Sequence, residues 1–271
     1  DVFIGSGATP AIFDSLDFKL DIFFPYSLGV EYVNEDYFSL YRKSRNPFIK
    51  YIANQMYLKQ IKGIRDTRKI INPDLSEMTI NAFNEIGVKP QVSSFPLPIV
   101  YPFEDAKKEE YTKELSCALE KISRYDFVII SHSRHQWVIP KKFSSKEWKK
   151  ISKNNNWLIQ AYADFYKLRP NSNSILVLFE YGEDYLYSKK LSEDLNIGTN
   201  VLWLPIMNRK EIMEIVKYSS VGVGVFYEGE VMWGGAACEI LSQGCPLIQR
   251  FNFESDKFIA KFGYPPPPLL S

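Results

Sequence analysis

The chain has little histidine or cysteine and no long apolar run, and each shortage removes a class of protein. Its three cysteines, Cys117, Cys238 and Cys245, are odd in number and scattered, which excludes a disulfide framework and points to reduced thiols in a cytoplasmic protein. Its two histidines, His132 and His135, share no ligand spacing with those cysteines, so no structural metal is expected. No apolar stretch approaches the roughly 18–20 residues of a membrane-spanning helix. Charge of one sign is not in excess either. The 33 Lys and Arg against 32 Asp and Glu leave a formal charge of +1, which, with no reader motif, argues against nucleic acid as a partner.

What is present describes a globular protein large enough for two cores, with 271 residues, 45% hydrophobic and 24% charged. From residue 105 onward, helical and strand patterns alternate with little irregular sequence between them, the signature of a parallel sheet wrapped by helices. Tyr111, Leu115, Ala118, Leu119 and Ile122 fall at helical spacing before the apolar run Phe127 to Ile130. A second helix carries Trp157, Leu158, Ala161, Tyr162, Phe165 and Leu168, ends at Pro170, and precedes the strand Ile175 to Phe179. A third carries Leu191 and Leu195 before Val201 to Leu204. Asn208 with Glu211 predicts a capping box for the helix of Ile212, Ile215 and Val216, which leads into Val221 to Phe226. Strands this continuously apolar suit a sheet covered on both faces. In such sheets ligands bind beyond the carboxyl ends of the strands.

The segment from Glu228 to Gln249 carries the most chemistry. After the strand Val221 to Phe226 come Glu228 and Glu230, the pair Gly234-Gly235, a short helix bearing Glu239, and the turn Gln243-Gly244-Cys245-Pro246. Glycines at the mouth of a helix let a ligand approach the backbone, and the unpaired N–H groups of Gly234, Gly235 and Ala236 with the helix dipole suit a diphosphate. Glu239, one turn in, is placed for ribose hydroxyls, and Glu228 and Glu230 for hydroxyls of whatever the diphosphate carries. The same spacing also suits a glycine-capped surface helix with solvated glutamates.

The ordered series SRHQW, KNNNWLIQAYADF, ILVLFEYGED, NVLWLP, SSVGVGVF and the element from Glu228 to Pro246 resembles the donor-binding domain of retaining GT-B fold glycosyltransferases. These are the group 1 glycosyltransferases, bacterial mannosyltransferase-like and sucrose-synthase-like enzymes. The resemblance covers residues 126 to 250. It implies an α/β fold of GT-B type, two Rossmann-like doubly wound domains facing a cleft, with the first domain incomplete and the final crossover helix absent. It also implies a nucleotide-sugar donor, a glycan or lipid-linked acceptor, and no cofactor or metal. By position, Arg134 and Lys153 match the family's diphosphate-binding cations, and with Glu230 they are the catalytic candidates. Gly234, Gly235, Ala236, Glu239 and Glu228 are the donor-binding candidates. Two departures stand out. Eight residues rather than seven separate Glu230 from Glu239, and Asn154 replaces the glycine that usually follows the lysine. A catalytically silent nucleotide-sugar-binding subunit and a GT-B sugar-nucleotide epimerase are therefore the alternatives to a transferase.

The expected division is 1–103, a partial acceptor-side domain, and 104–271, the donor domain. Asp1 to Ile4, Ile22 to Phe24 and Ile70-Ile71 read as strands, and Gly5-Ser6-Gly7 as a turn. The sequence begins at Asp1 inside a strand-like segment, so a fragment of a longer protein is expected. No histidine precedes His132, so the histidine that related enzymes carry in the first domain has no counterpart. Between Arg42 and Lys69, nine cations alternate with apolar residues against the single acid Asp66. That composition suits either peripheral contact with an anionic membrane, at the inner face, or a packed helix with a basic outer face.

Overall fold

The computed structural model describes residues 1–25, 46–72, 77–89, 91–92, 111–141, 144–149, 152–226, 234–250, 256 and 259. The chain divides into two compact units, 1–99 with 256–271, and 100–255. The first unit runs β1 (Ile4–Gly5), α1 (Thr9–Ser15), β2 (Ile22–Phe23), α2 (Pro47–Asp66), β3 (Lys69–Asn72), α3 (Glu77–Glu85), β4 (Gln91–Val92). Its strands pair in parallel in the order β1-β2-β3-β4. Leu20, Phe23, Ile64, Ile70, Ala82, Phe83 and Ile86 form the core.

Helix α2 begins where the sequence stops it from beginning earlier. Asn46 is extended, its side chain accepts from the N–H groups of Phe48 and Ile49 at 3.0 and 3.4 Å, and Pro47 supplies a first helical residue that needs no acceptor. The helix crosses α1 so closely that a Cβ on Gly63 would lie 2.2 Å from the Pro10 carbonyl oxygen. Beside that crossing the buried Gln60 accepts from Ala11 N at 3.1 Å and donates to Gly7 O at 2.9 Å.

The second unit contains α4 (Lys113–Ile122), β5 (Phe127–Ser131), α5 (Ser145–Lys149), α6 (Asn155–Leu168), β6 (Ser174–Phe179), α7 (Tyr185–Asp194), a 3-10 turn (Gly198–Asn200), β7 (Val201–Leu204), α8 (Arg209–Lys217), β8 (Val221–Val223), α9 (Gly235–Ser242) and β9 (Leu247–Ile248). All five strands are parallel, in the order β7-β6-β5-β8-β9. All six residues of β6 are buried, as a central strand covered on both faces requires. One core lies under α4, α8 and α9, with Leu115, Ile122, Ile215 and Ile240. The other lies under α6 and α7, with Ile159, Tyr162, Leu176 and Leu178. The expected capping box of α8 is present, Asn208 N donating to Glu211 Oε2 at 2.9 Å.

The chain leaves β5 toward β6 and β7 on one side and returns to β8 and β9 on the other. β5 and β8 therefore flank the switch point, where loops diverge and leave a crevice beyond the carboxyl ends of the strands. Helix α9 sits close to that point because β8 carries glycine, a Cβ on Gly222 falling 2.5 Å from Ile240 Cγ2.

Candidate functional site

Three stretches of chain meet at the switch point: residues 132–141 after β5, 152–155 opening α6, and 224–226 after β8 with the start of α9. The first is held by the loop after β6. His135 N donates to Tyr181 O at 2.7 Å, and Asp184 N to His135 O at 3.2 Å. Gly182 is in the left-handed region at φ 105°, and a Cβ there would lie 2.4 Å from both His135 N and O. Buried Asp184 precedes α7 but does not cap it. Its Oδ2 instead accepts from Trp137 N at 2.6 Å and Val138 N at 2.9 Å.

The α6 entrance is tied to both neighbours. Lys153 N donates to Gln136 O at 2.8 Å, and Phe226 N to Lys153 O at 3.3 Å. Asn155 Oδ1 accepts from Gln136 N at 3.0 Å. Asn154, at φ 51° and ψ 41°, is left-handed, which explains the departure noted in the sequence. Asparagine is among the non-glycine residues best suited to that conformation, and its amide adds a bond to Phe226 O at 2.7 Å.

These ties bring Arg134 and Lys153 into one electrostatic neighbourhood. Arg134 is exposed and Lys153 half-buried. Burial holds the Lys153 ammonium below the usual lysine pKa, and the positive charge of Arg134 lowers it further. Among the described residues neither side chain takes part in an ion pair. Gly234 is the extended N-cap of α9 and faces open space, so the first-turn N–H groups beyond it have no intrahelical acceptor. Gly235 and Ala236 are half-buried. Glu228 and Glu230 lie outside the described residues.

Glu239 is not solvated. Its Oε2 lies 2.5 Å from His132 Nε2 and its Oε1 2.6 Å from Arg209 Nε. Sequence reasoning missed both partners, and Asp184 as well. The only local signal for His132 is its place immediately after an apolar strand. A concentration of polar atoms without protein partners marks the same place. Ser131 Oγ, His132 Nδ1, Ser133 Oγ and Gln136 Oε1 are buried and unpaired, an uncommon cluster in a native fold. His135, whose Nε2 is also buried without a hydrogen-bond partner, is a core residue. Burial pushes its pKa down to about 4, so it is neutral near pH 7, with Nδ1 2.8 Å from Ser188 Oγ and its ring against Trp203.

Cys117, Cys238 and Cys245 are free. Among the described residues no group of three His, Cys, Asp or Glu is placed to hold a metal, and no helix is long and apolar enough to cross a membrane. Of the cations between Arg42 and Lys69, the first three, Arg42, Lys43 and Arg45, lie outside the described residues. Lys59 donates to Ser15 Oγ, Lys62 pairs with Asp14, Arg65 donates to Ile86 O and Arg68 pairs with Asp21. Phe48, Tyr51 and Leu58 on α2 are more than half exposed.

Neither a protein-family model nor a curated protein matches the sequence. Among solved structures the chain is similar to WaaG, a glycosyltransferase involved in lipopolysaccharide biosynthesis, at 17% identity and a TM-score of 0.50, over 92% of this chain and 59% of that one. It therefore spans less than two thirds of WaaG. A mutant TarM of S. aureus in complex with fondaparinux, α-GlcNAc-glycerol and UDP matches at 16% identity and a TM-score of 0.44, over 76% of this chain and 34% of that one. A Listeria monocytogenes protein assigned as a UDP-N-acetylglucosamine 2-epimerase matches at 9% and 0.41, over 91% and 55%. With two parallel α/β units, the second in doubly wound order, the chain has the Rossmann-like GT-B fold that it shares with WaaG.

Proposed function

We propose that the second unit binds a nucleotide-sugar donor by its diphosphate, and that the protein transfers the sugar, with retention, to a glycan or lipid-linked acceptor. The observation that supports this is the approach of two cations, Arg134 and Lys153, at the switch point. The positive charge of Arg134 adds to burial in lowering the Lys153 pKa, and no acid compensates either among the described residues. An anion placed between them is the physical remedy for that repulsion. The open amino end of α9 supplies N–H groups at the same end of the sheet.

As the glycosidic bond breaks, its electron pair passes to the diphosphate oxygen. Cations and amides aimed there stabilise the transition state more than the ground state. In this scheme the positive charge comes from the protein, so turnover is expected to survive EDTA. Glu239 accepts from the ribose hydroxyls, and Glu228 and Glu230 bind the sugar. The exposed aromatic start of α2 supports peripheral contact with an anionic membrane that carries the acceptor.

A nucleotide-sugar-binding subunit without turnover is the second reading, favoured by the eight-residue spacing between Glu230 and Glu239 and by the absence of a histidine before His132. The full-length protein incubated with UDP-, GDP- and ADP-sugars separates the cases. Slow donor hydrolysis that falls by about a hundredfold in Arg134→Ala supports the transferase. Binding without hydrolysis supports the subunit, and an epimerised sugar the epimerase. Hydrolysis unchanged in Arg134→Ala removes Arg134 from the site.

A further inference from the structure

We infer that His132 and Arg209 are positioning residues that clamp the Glu239 carboxylate as a fixed acceptor for the two vicinal hydroxyls of the donor's ribose. The inference rests on the donor-binding function proposed above and adds to it two residues which that proposal leaves without a role. A carboxylate only accepts, so His132 Nε2, 2.5 Å from Glu239 Oε2, must carry a hydrogen. In the neutral ring Nδ1 is then a bare acceptor, and it is buried without a protein partner. The His132 side chain is 5% exposed, and its bond to Glu239 is the one polar contact of the ring recorded among the described residues. A buried imidazole that spends its single bond on Glu239, at the price of an orphaned nitrogen, is placed for that carboxylate.

The second donor comes from a different element. Arg209 is the first residue of α8, and its Nε lies 2.6 Å from Glu239 Oε1. One oxygen is thus held from the end of β5 and the other from α8, which fixes the carboxylate plane. Each oxygen has two lone pairs, and the protein occupies one. The other two form a preset pair of acceptors on a side chain that is 13% exposed. Two cis hydroxyls need that arrangement, and a diphosphate does not.

Calorimetry with UDP, GDP and ADP, with their 2′,3′-dideoxy counterparts and with inorganic pyrophosphate tests the clamp on the wild-type protein and on His132→Leu, His132→Gln and Arg209→Gln. The expected result is a loss of about tenfold or more for the ribonucleotide in His132→Leu and Arg209→Gln. The dideoxy ligand and pyrophosphate should change by less than about twofold, and His132→Gln, which keeps a donor, should recover part of the loss. Equal losses across all three ligands would make the cluster structural and overturn the inference. If a variant fails to fold, the wild-type protein still decides, because equal affinity for ribo- and dideoxy ligands overturns the clamp and leaves diphosphate binding intact. Absence of binding to all three ligands overturns the donor site itself, and the clamp with it.

Discussion

Asp184→Ala should destabilise the second unit by about 2–6 kcal/mol, and the figure follows from what its Oδ2 holds. That oxygen accepts from Trp137 N at 2.6 Å and Val138 N at 2.9 Å, and the residue is 8% exposed. Each N–H left without an acceptor costs roughly 1–3 kcal/mol. Relief from desolvating the carboxylate shifts the sum toward the lower end. Asp184→Asn keeps an acceptor of the same shape and loses only the charge assistance, so about 1–2 kcal/mol is expected there. All five tryptophans, Trp137, Trp148, Trp157, Trp203 and Trp233, belong to the unit 100–255. Guanidinium unfolding followed by tryptophan fluorescence therefore reports that unit alone. The loop from His132 to Val138 also carries Arg134, so Asp184→Asn should weaken nucleoside diphosphate binding while the protein remains folded. A wild-type midpoint for Asp184→Ala, or equal losses for the two variants, would refute the idea that this carboxylate works as a backbone acceptor.

Gly222→Ala should cost about 1–3 kcal/mol by overpacking, since its Cβ would meet Ile240 at 2.5 Å. Adding Ile240→Val should return part of the loss in the same fluorescence assay, and no loss in the single variant would contradict the close approach of α9 to β8. Lys153 has a lowered pKa, so between that value and 10.5 the unfolded chain binds more protons, and its contribution to stability rises with pH across that window. A bound diphosphate restores the higher pKa. Calorimetry in buffers of different ionisation enthalpy should then show proton uptake, with affinity falling as pH climbs through the lowered value, and binding without uptake counts against Lys153 as a ligand. Co-sedimentation with vesicles containing anionic lipid should drop several-fold in Phe48→Ser/Tyr51→Ser, while equal binding to neutral vesicles would exclude charge attraction.

Much of the architecture was legible because the features that encode it are local. Period and apolarity predicted β5 to β8 and their helices, and Asn208 with Glu211 predicted the box that the structure contains. The strand expected to run to Phe226 is regular only to Val223, although Gly224 N still donates to Ile248 O at 2.9 Å. The site was legible only as candidates. The segments that carry Arg134 and Lys153 are tied together by bonds between loops far apart in sequence. Trp137 and Asp184 are 47 residues apart, and His132 and Glu239 are 107 apart. No period records such pairs. In the sequence Glu239 reads as an acceptor for ribose hydroxyls with no protein partner in view, and its partners, His132 just after β5 and Arg209 on α8, depend on the order in which strands assemble. Asn154, a departure from the family pattern, sits at φ 51°, a left-handed conformation that asparagine tolerates better than most non-glycine residues.

The electrostatics of Arg134 and Lys153 are evidence independent of any likeness of fold. A half-buried ammonium with a second cation beside it lowers stability, and a protein selected only to fold would lose one charge or gain an acid between them. Neither has happened among the described residues. The nearest carboxylate on α9, Glu239, is instead taken up by Arg209 and His132, so it does not neutralise the pair. Local rules broken without compensation tend to mark function, and the one broken here would be relieved by a bound anion. GT-B folds host more than one chemistry, so the fold alone does not choose among them. On the donor-binding function proposed above, a pair of cations with no acid between them among the described residues would serve a reaction in which negative charge grows at one place. Departure of a diphosphate from a sugar is such a reaction.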